Sequence, residues 1–104
     1  MRYTIRRHPA VEDDLFETVS MISDYAGIAV GLAKTDEIVN FIASLADFPK
    51  IGTVRDEIYP GLRAIPASEK AVVCFTVDDP TRTILIVCIS YAGADWVSRV
   101  RNRR

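Results

Sequence analysis

The chain has 104 residues, of which 49% are hydrophobic and 26% are charged, and its formal net charge is −1. This length suits one domain, predicted over residues 1–104, and this balance is typical of a globular protein that folds without metal or disulfides. No apolar run predicts a membrane span, and the N-terminus lacks the apolar block of a signal peptide, so a cytoplasmic location is expected.

The low net charge conceals a segregation of charge along the chain. Residues 12–48 hold eight acidic side chains against Lys34 alone, whereas the C-terminal stretch SRVRNRR holds four arginines and no acid. This pattern indicates an acidic helical surface and a basic surface at the C-terminus. The basic stretch is a candidate for binding an anionic partner, and equally for simple solvation of the chain end.

The first half of the chain predicts one strand and two helices. RYTIRR alternates apolar and polar residues, which is typical of a strand with one buried face. HPAVEDDLFETVSMISDYAG predicts a helix, with Pro9 at its first position, acids in its first turns and Gly27 as its stop. IAVGLAKTDEIVNFIASLADFP predicts a second helix, weakened by Gly31 and ended by Pro49, so the two helices form an antiparallel hairpin.

The second half predicts a sheet. After the loop KIGTVRDEIY, PGLRAIPA predicts a short strand, and KAVVCFTV and TILIVCISY predict a β-hairpin around the turn DDPTR. Both runs are apolar without alternation, which indicates central strands covered on both faces. Their cysteines, Cys74 and Cys88, are expected to be neighbouring reduced thiols in the core.

The predicted order is therefore β-α-α-β-β-β. The last segment, AGADWVSRVRNRR, adds a turn and then a short C-terminal helix or a loose tail. Helices on one side of a mostly antiparallel sheet define an α+β domain.

Few residues suggest catalysis. The only histidine, His8, precedes Pro9 at a helix start, where capping is more usual than proton transfer. The acids of the first helix are expected to face the solvent. The sequence shows no nucleophile-elbow serine, no phosphate-binding glycine loop and no set of metal ligands. We therefore predict no catalytic residue, no metal and no cofactor.

Arginines near the sheet are the main candidates for binding. Arg63 follows a Pro-Gly turn, where it either faces an anionic partner or pairs with a carboxylate. The favoured interpretation is an ion pair in which Arg55 or Arg63 bonds Glu57 and pins the loop onto the sheet. Trp96, after the last strand, either seals the edge of the core or anchors a partner.

The order of several short motifs resembles a known family. LADFPKIGTVRDEIYPGLRAI, followed by an apolar strand, FTVDD, a second apolar strand and YAGADW, resembles the RelE/ParE toxin superfamily of bacterial type II toxin–antitoxin systems. The similarity extends from HPAVEDDL to AGADW. It implies a strand, a helical hairpin and an antiparallel sheet, in a small cytoplasmic toxin held inactive by an antitoxin.

The resemblance implies one of two targets. RelE-like members cleave messenger RNA in the ribosome with a cluster of basic residues, whereas ParE-like members inhibit DNA gyrase. The RelE-like basic positions fall here at or near Tyr59, Gly61, Val72 and Ala94. The concentrated positive charge that RNA cleavage needs is therefore expected to be missing. We favour the ParE-like branch, in which the protein acts by binding and is not an enzyme.

The ParE-like interpretation assigns two binding surfaces. Candidates for binding gyrase, or gyrase with DNA, are Arg63, Arg82, Trp96, Arg99, Arg101, Arg103 and Arg104. Candidates for binding a ParD-like or similar antitoxin, in a hetero-oligomer, are Leu15, Val19, Ile22 and Phe41. Two alternatives stay open: a ribosome-dependent endoribonuclease that uses Arg63, Arg82 and Tyr91, and a non-toxic protein that only binds an antitoxin.

Overall fold

The computed structural model describes residues 2–68, 70–93 and 95–103. The elements in these ranges are β1 (Thr4–Arg7), α1 (Val11–Ala26), α2 (Ile28–Ser44), β2 (Thr53–Val54), β3 (Arg63–Ser68), β4 (Ala71–Asp78), β5 (Thr83–Tyr91) and α3 (Trp96–Asn102). The predicted α+β fold is confirmed. The two-residue strand β2 was not predicted, and the C-terminal segment is a helix. No helix among the described residues is long and apolar enough to cross a membrane.

The five strands form one sheet in the order β1-β5-β4-β3-β2. The strand pairs β2–β3, β3–β4 and β4–β5 are antiparallel, and β1 runs parallel to β5. The two long strands β4 and β5 therefore lie at the centre, as their continuous apolar sequences indicated.

Both faces of the central strands are covered. The helical hairpin of α1 and α2 covers one face, which we call the hairpin face, with a core that includes Leu15, Ile22, Ile38, Ile42, Phe75 and Ile86. Helix α3 and the loop before β3 cover part of the other face, which we call the α3 face. Its smaller core is formed by Ile58, Leu62, Cys74, Val87, Cys88 and Val100.

A β-bulge in β5 changes which residues face which layer. Cys74 pairs with Cys88 and Phe75 pairs with Ile86, so that Val87 is an extra residue on β5. Val87 and Cys88 consequently both contribute to the core of the α3 face, although they are consecutive. The residues of β5 that contribute to the hairpin face are Ile84, Ile86, Ile89 and Tyr91.

The two cysteines are neighbours across the central strands, as the sequence predicted. Both are buried free thiols. The hydrogen bond to Cys88 and burial raise the pKa of Cys74. Because the thiolate is the reactive form of cysteine, Cys74 is suited to packing and not to chemistry.

The hairpin depends on a close contact between its helices. A Cβ atom on Gly31 would lie 2.7 Å from Ser23 Oγ and 2.9 Å from the carbonyl oxygen of Val19. Gly31, which the sequence analysis treated as a weakness of α2, therefore allows α2 to approach α1. Before the hairpin, His8 Nδ1 accepts a hydrogen bond of 3.1 Å from the N–H of Ala10, which is the N-cap residue of α1, so His8 holds the turn that precedes the helix.

Candidate functional site

A buried carboxylate joins the first and last helices. Asp14 lies in the first turn of α1 and is only 3% exposed. The prediction that the acids of α1 face the solvent is therefore wrong for Asp14. Its position explains the burial, because Asp14 lies three residues after Val11 and four before Thr18, and both are buried on the same helix face.

Two arginines of α3 bind this carboxylate. Arg103 makes a bidentate contact, in which Nη1 donates to Asp14 Oδ2 at 2.5 Å and Nη2 donates to Oδ1 at 2.8 Å. Arg99 donates from Nη1 to Asp14 Oδ1 at 3.3 Å and from Nη2 to Glu17 Oε1 at 2.8 Å. The bond to Asp14 raises the pKa of Arg103 and the bond to Glu17 raises the pKa of Arg99, so both stay charged.

The same groups satisfy the backbone beside the bulge. The N–H of Ile89 donates to Asp14 Oδ2 at 2.9 Å, and Arg103 Nη1 donates to the carbonyl oxygen of Val87 at 3.0 Å. We call Asp14, Arg99 and Arg103, with these two backbone groups, the Asp14 cluster. It connects α1, β5 and α3.

The loop before β3 is tied together and contacts α3. Arg55 Nε donates to Glu57 Oε2 at 2.9 Å, and the N–H of Gly61 donates to Asp56 Oδ1 at 2.8 Å. The guanidinium carbon of Arg55 also lies 5.4 Å from the ring centroid of Trp96, within the range of a cation–π contact. Of the two arginines proposed for the loop ion pair, Arg55 is thus the one that bonds Glu57.

Arg63 lies elsewhere. It is opposite Phe75 in the β3–β4 register, and Phe75 belongs to the hairpin-face core. Placing Arg63 in the loop ion pair was therefore wrong, because the strand directs its side chain to the other side of the sheet. The charge of Arg63 contributes to the lowered pKa of Asp79, which accepts bonds from Lys50 at 2.7 Å and from Tyr3 at 2.6 Å.

The other target-binding candidates do not converge either. Arg82 is exposed in the turn between β4 and β5, with a positive φ of 51°. Arg101 is exposed on α3, while its neighbours Arg99 and Arg103 are bound in the Asp14 cluster. Arg104, like Ala94, lies outside the described residues.

The antitoxin-binding candidates need a correction. Leu15 and Ile22 are 8% and 1% exposed and form part of the core, while Val19 and Phe41 are partly buried. The apolar stripe of the hairpin therefore packs on the sheet and offers no surface at Leu15 or Ile22. The exposed apolar residues of the hairpin lie off the stripe: Phe16, Met21, Tyr25, Ile28, Val30 and Leu32. A search for apolar residues outside the helical period would have found them.

A surface pocket lies where strands β1, β4 and β5 meet the turn between β4 and β5. It has a volume of about 460 Å³ and is lined by Arg6, Thr76, Asp78, Thr81, Thr83 and Leu85. Arg6 lies opposite Leu85 in the register, so the pocket is on the α3 face of the sheet. The sequence analysis did not find it, since its residues come from three separate segments.

The sequence and the fold place the chain in a family. Residues 5–96 match the family described as the ParE toxin of the type II toxin-antitoxin system, parDE. This match spans most of the chain, and the protein belongs to that family, within the RelE/ParE superfamily of toxins. No curated protein matches the chain significantly.

Solved structures share the fold at low sequence identity. A chain of the chromosomal ParDE system from P. aeruginosa is 19% identical with a TM-score of 0.73, covering 86% of this chain and 96% of its own. The free E. coli toxin RelE, as a double Arg-to-Ala mutant, is 15% identical with a TM-score of 0.69 and coverages of 99% and 98%. A chain of the RelBE2 toxin–antitoxin complex from Mycobacterium tuberculosis is 17% identical with a TM-score of 0.63, covering 88% of this chain and 99% of its own.

Proposed function

We propose that this toxin inhibits DNA gyrase by binding it, alone or with DNA, and that a cognate antitoxin neutralises it. The observation that carries the proposal is the match of residues 5–96 to the ParE toxin family. The ParE-like branch, which the sequence resembles, acts on gyrase and not on messenger RNA. The toxin is accordingly a binding protein, not an enzyme.

The distribution of cations supports binding over RNA cleavage. A nuclease without metal needs several positive groups around one phosphate. Here Arg99 and Arg103 are bound by Asp14, and Arg63 lies on the hairpin face. Tyr91, the tyrosine proposed for the nuclease, is buried on that same face with its hydroxyl 2.6 Å from the hydroxyl of Tyr25.

A supercoiling assay tests the gyrase proposal. Purified toxin is titrated into gyrase with relaxed plasmid, and cleavage complexes are measured in parallel. We expect loss of supercoiling that is reversed by adding the product of the adjacent antitoxin gene. Unimpaired supercoiling at a large molar excess of toxin would refute the proposal.

A ribonuclease is the second candidate, since the fold is shared with RelE at a TM-score of 0.69. In-vitro translation with primer extension on ribosome-bound messenger RNA tests it. Codon-positioned cuts that disappear in Arg63→Ala would replace gyrase with the ribosome as target. If neither assay responds and induction of the gene leaves growth normal, the non-toxic alternative is favoured.

The antitoxin is proposed to cover the exposed apolar side chains of the hairpin. Phe16 and Leu32 are 74% and 52% exposed on the two helices, and exposed large apolar side chains of this kind are candidates for a partner site. An amphipathic segment of the antitoxin fits such a surface. The RelBE2 structure is a toxin–antitoxin complex, which supports an antitoxin partner for this fold.

Affinity measurements on paired variants test this surface. In Phe16→Ser with Leu32→Ser, we expect antitoxin affinity to fall at least about tenfold, with the stability of the toxin nearly unchanged. Asn40→Ser, an exposed polar position on the same hairpin, is the control and should bind normally. Full affinity in the double variant would move the antitoxin to another surface.

A further inference from the structure

Helix α3 has few means of holding its position. It spans only seven residues, which is too short for a stable isolated helix. Its N-terminus is capped by Asp95, which accepts from the N–H of Ser98 at 3.1 Å, but this cap lies within the segment itself. Val100 is its one fully buried apolar side chain among the described residues. Trp96 and Val97 pack against the same core but are only partly buried, so Arg99 and Arg103 are the polar contacts that fix the position of α3 on the sheet.

The Asp14 cluster fixes the orientation of α3 on the sheet. Apolar contact through Val100 is not directional, whereas the fork of Arg103 fits Asp14 in one geometry. The cluster also uses backbone groups of β5 that flank the bulge, so α3 is aligned against a defined point of the sheet.

A buried ion pair is a poor choice if only stability is required. Removing a carboxylate and a guanidinium from water is costly, and well-packed apolar residues at the same place are often as stable or more so. Ionic groups retained in such places have in some proteins a role in specifying one arrangement. We infer that this is the role of Asp14.

The fixed position of α3 creates a mixed surface with the loop before β3. Trp96 at the start of α3 lies under Arg55 of the loop. The bond from Arg55 lowers the pKa of Glu57, and the charge of Arg101 on α3 adds to this effect. Tryptophan and arginine are the residue types that most often dominate protein interfaces.

We propose that Asp14 is a positioning residue for target binding: it holds α3 so that Trp96, Arg101 and Arg55 form one surface for gyrase. The proposal rests on the proposed function. It assigns the target surface to the α3 face and leaves the exposed side chains of the hairpin to the antitoxin. Asp14 itself, on the hairpin, does not touch the target.

Trp96 provides the readout, because it is the only tryptophan of the chain. In Asp14→Asn, the weaker acceptor should release α3, so that Trp96 emission shifts to the red and becomes more accessible to acrylamide. The toxin concentration for half-inhibition of gyrase should rise at least about tenfold, while far-UV circular dichroism is retained. Arg103→Lys, which keeps the charge but loses the fork, should give an intermediate value of both quantities.

Two controls separate positioning from contact. Glu12→Gln makes the same change of charge on α1 at an exposed position outside the cluster, and it should leave both quantities unchanged. Arg101→Ala removes a proposed contact on α3 and should weaken inhibition without altering Trp96 emission.

Each result decides a different point. Unchanged Trp96 emission in Asp14→Asn and Arg103→Lys overturns the attachment of α3 by Asp14. Normal inhibition of gyrase by variants whose Trp96 is displaced overturns the target surface. If the unaltered toxin fails to inhibit gyrase, the proposed function and its surface both fall, while the emission spectra still decide the attachment. Should Asp14→Asn not fold, two other variants give the same decision: Arg103→Lys, which leaves Asp14 with Arg99 and a lysine, and Arg99→Ala, which leaves it with Arg103 alone.

Discussion

The two faces of the sheet are covered by different kinds of contact. On the hairpin face, two long helices bury a large apolar core against β4 and β5. On the α3 face, a short helix contributes Val100 to a small core and is aligned by the ion pairs of the Asp14 cluster. The comparison indicates that one face supplies most of the stability and the other supplies an aligned surface.

The largest expected effect comes from the hairpin face. Phe75→Ala removes a fully buried side chain and should reduce the free energy of unfolding by about 3–5 kcal/mol, through lost burial and a residual cavity. Urea denaturation followed by circular dichroism measures the change. Phe16→Ala, at an exposed position, is the control and should change stability little. Equal stabilities of the two variants would contradict the assignment of the core.

The corresponding change on the α3 face should cost less. Val100→Ala removes two buried methyl groups, and we expect a loss of about 2 kcal/mol in the free energy of unfolding. Trp96 emission should respond before the rest of the fold unfolds, because α3 is attached by few contacts. If Val100→Ala unfolded in a single cooperative transition and lost as much free energy of unfolding as Phe75→Ala, the α3 face would be as important for stability as the hairpin face, contrary to the comparison.

A third prediction concerns the joint between the two helices. Gly31→Ala should destabilise the protein by about 1 kcal/mol net, because overpacking against Val19 and Ser23 outweighs the better helix propensity of alanine. Thermal unfolding measures it. Adding Ser23→Ala should recover part of the loss, since it removes the nearest atom, a buried hydroxyl oxygen without a hydrogen-bond partner in the described residues. If Gly31→Ala were more stable than the unaltered protein, the two helices would be able to move apart without loss of stability, and the prediction would be wrong.

The smallest effect should be a pH dependence at the edge of the hairpin face. The bonds from Lys50 and Tyr3 lower the pKa of Asp79. Because its folded pKa is below the unfolded one, the stability they contribute is present above the ordinary aspartate pKa and is lost as pH falls through the folded value. Asp79→Asn should therefore show a slightly shallower loss of stability on acidification, measured as the urea midpoint at each pH. Asp78→Asn is the control, and an unchanged profile in Asp79→Asn would refute the prediction.

The sequence predicted the order of elements because their periodicity is local. The strands β4 and β5 are apolar on both faces, and the two helices carry clear stripes, so their types follow from neighbouring residues. The strand β2 could not be predicted in this way, because two residues show no period and pair only through the tertiary fold.

The functional groups were harder to predict than the fold. Glu12, Asp13 and Asp14 look alike as acids near a helix N-terminus, and they differ in the helix face they occupy, since consecutive residues are about 100° apart around the helix. Only the placement of Asp14 among the buried positions of α1 distinguished it. The partners Arg99 and Arg103 are 85 and 89 residues away along the chain, a separation over which no local pattern operates.

The bulge at Val87 has a consequence for how this chain tolerates change in length. With Val87 in place, Ile89 and Tyr91 reach the hairpin, and Cys88 reaches the opposite layer. Deleting one residue between Ile86 and Ile89 would remove the bulge and restore simple alternation, so that Ile89 and Tyr91 would still face the hairpin, whereas a deletion in the regular part of β5 would reverse the facing of the residues after it. The bulge is therefore the place in β5 where the loss of one residue keeps the two layers intact, and the loss would be felt instead at the backbone groups of Val87 and Ile89 that bind Arg103 and Asp14.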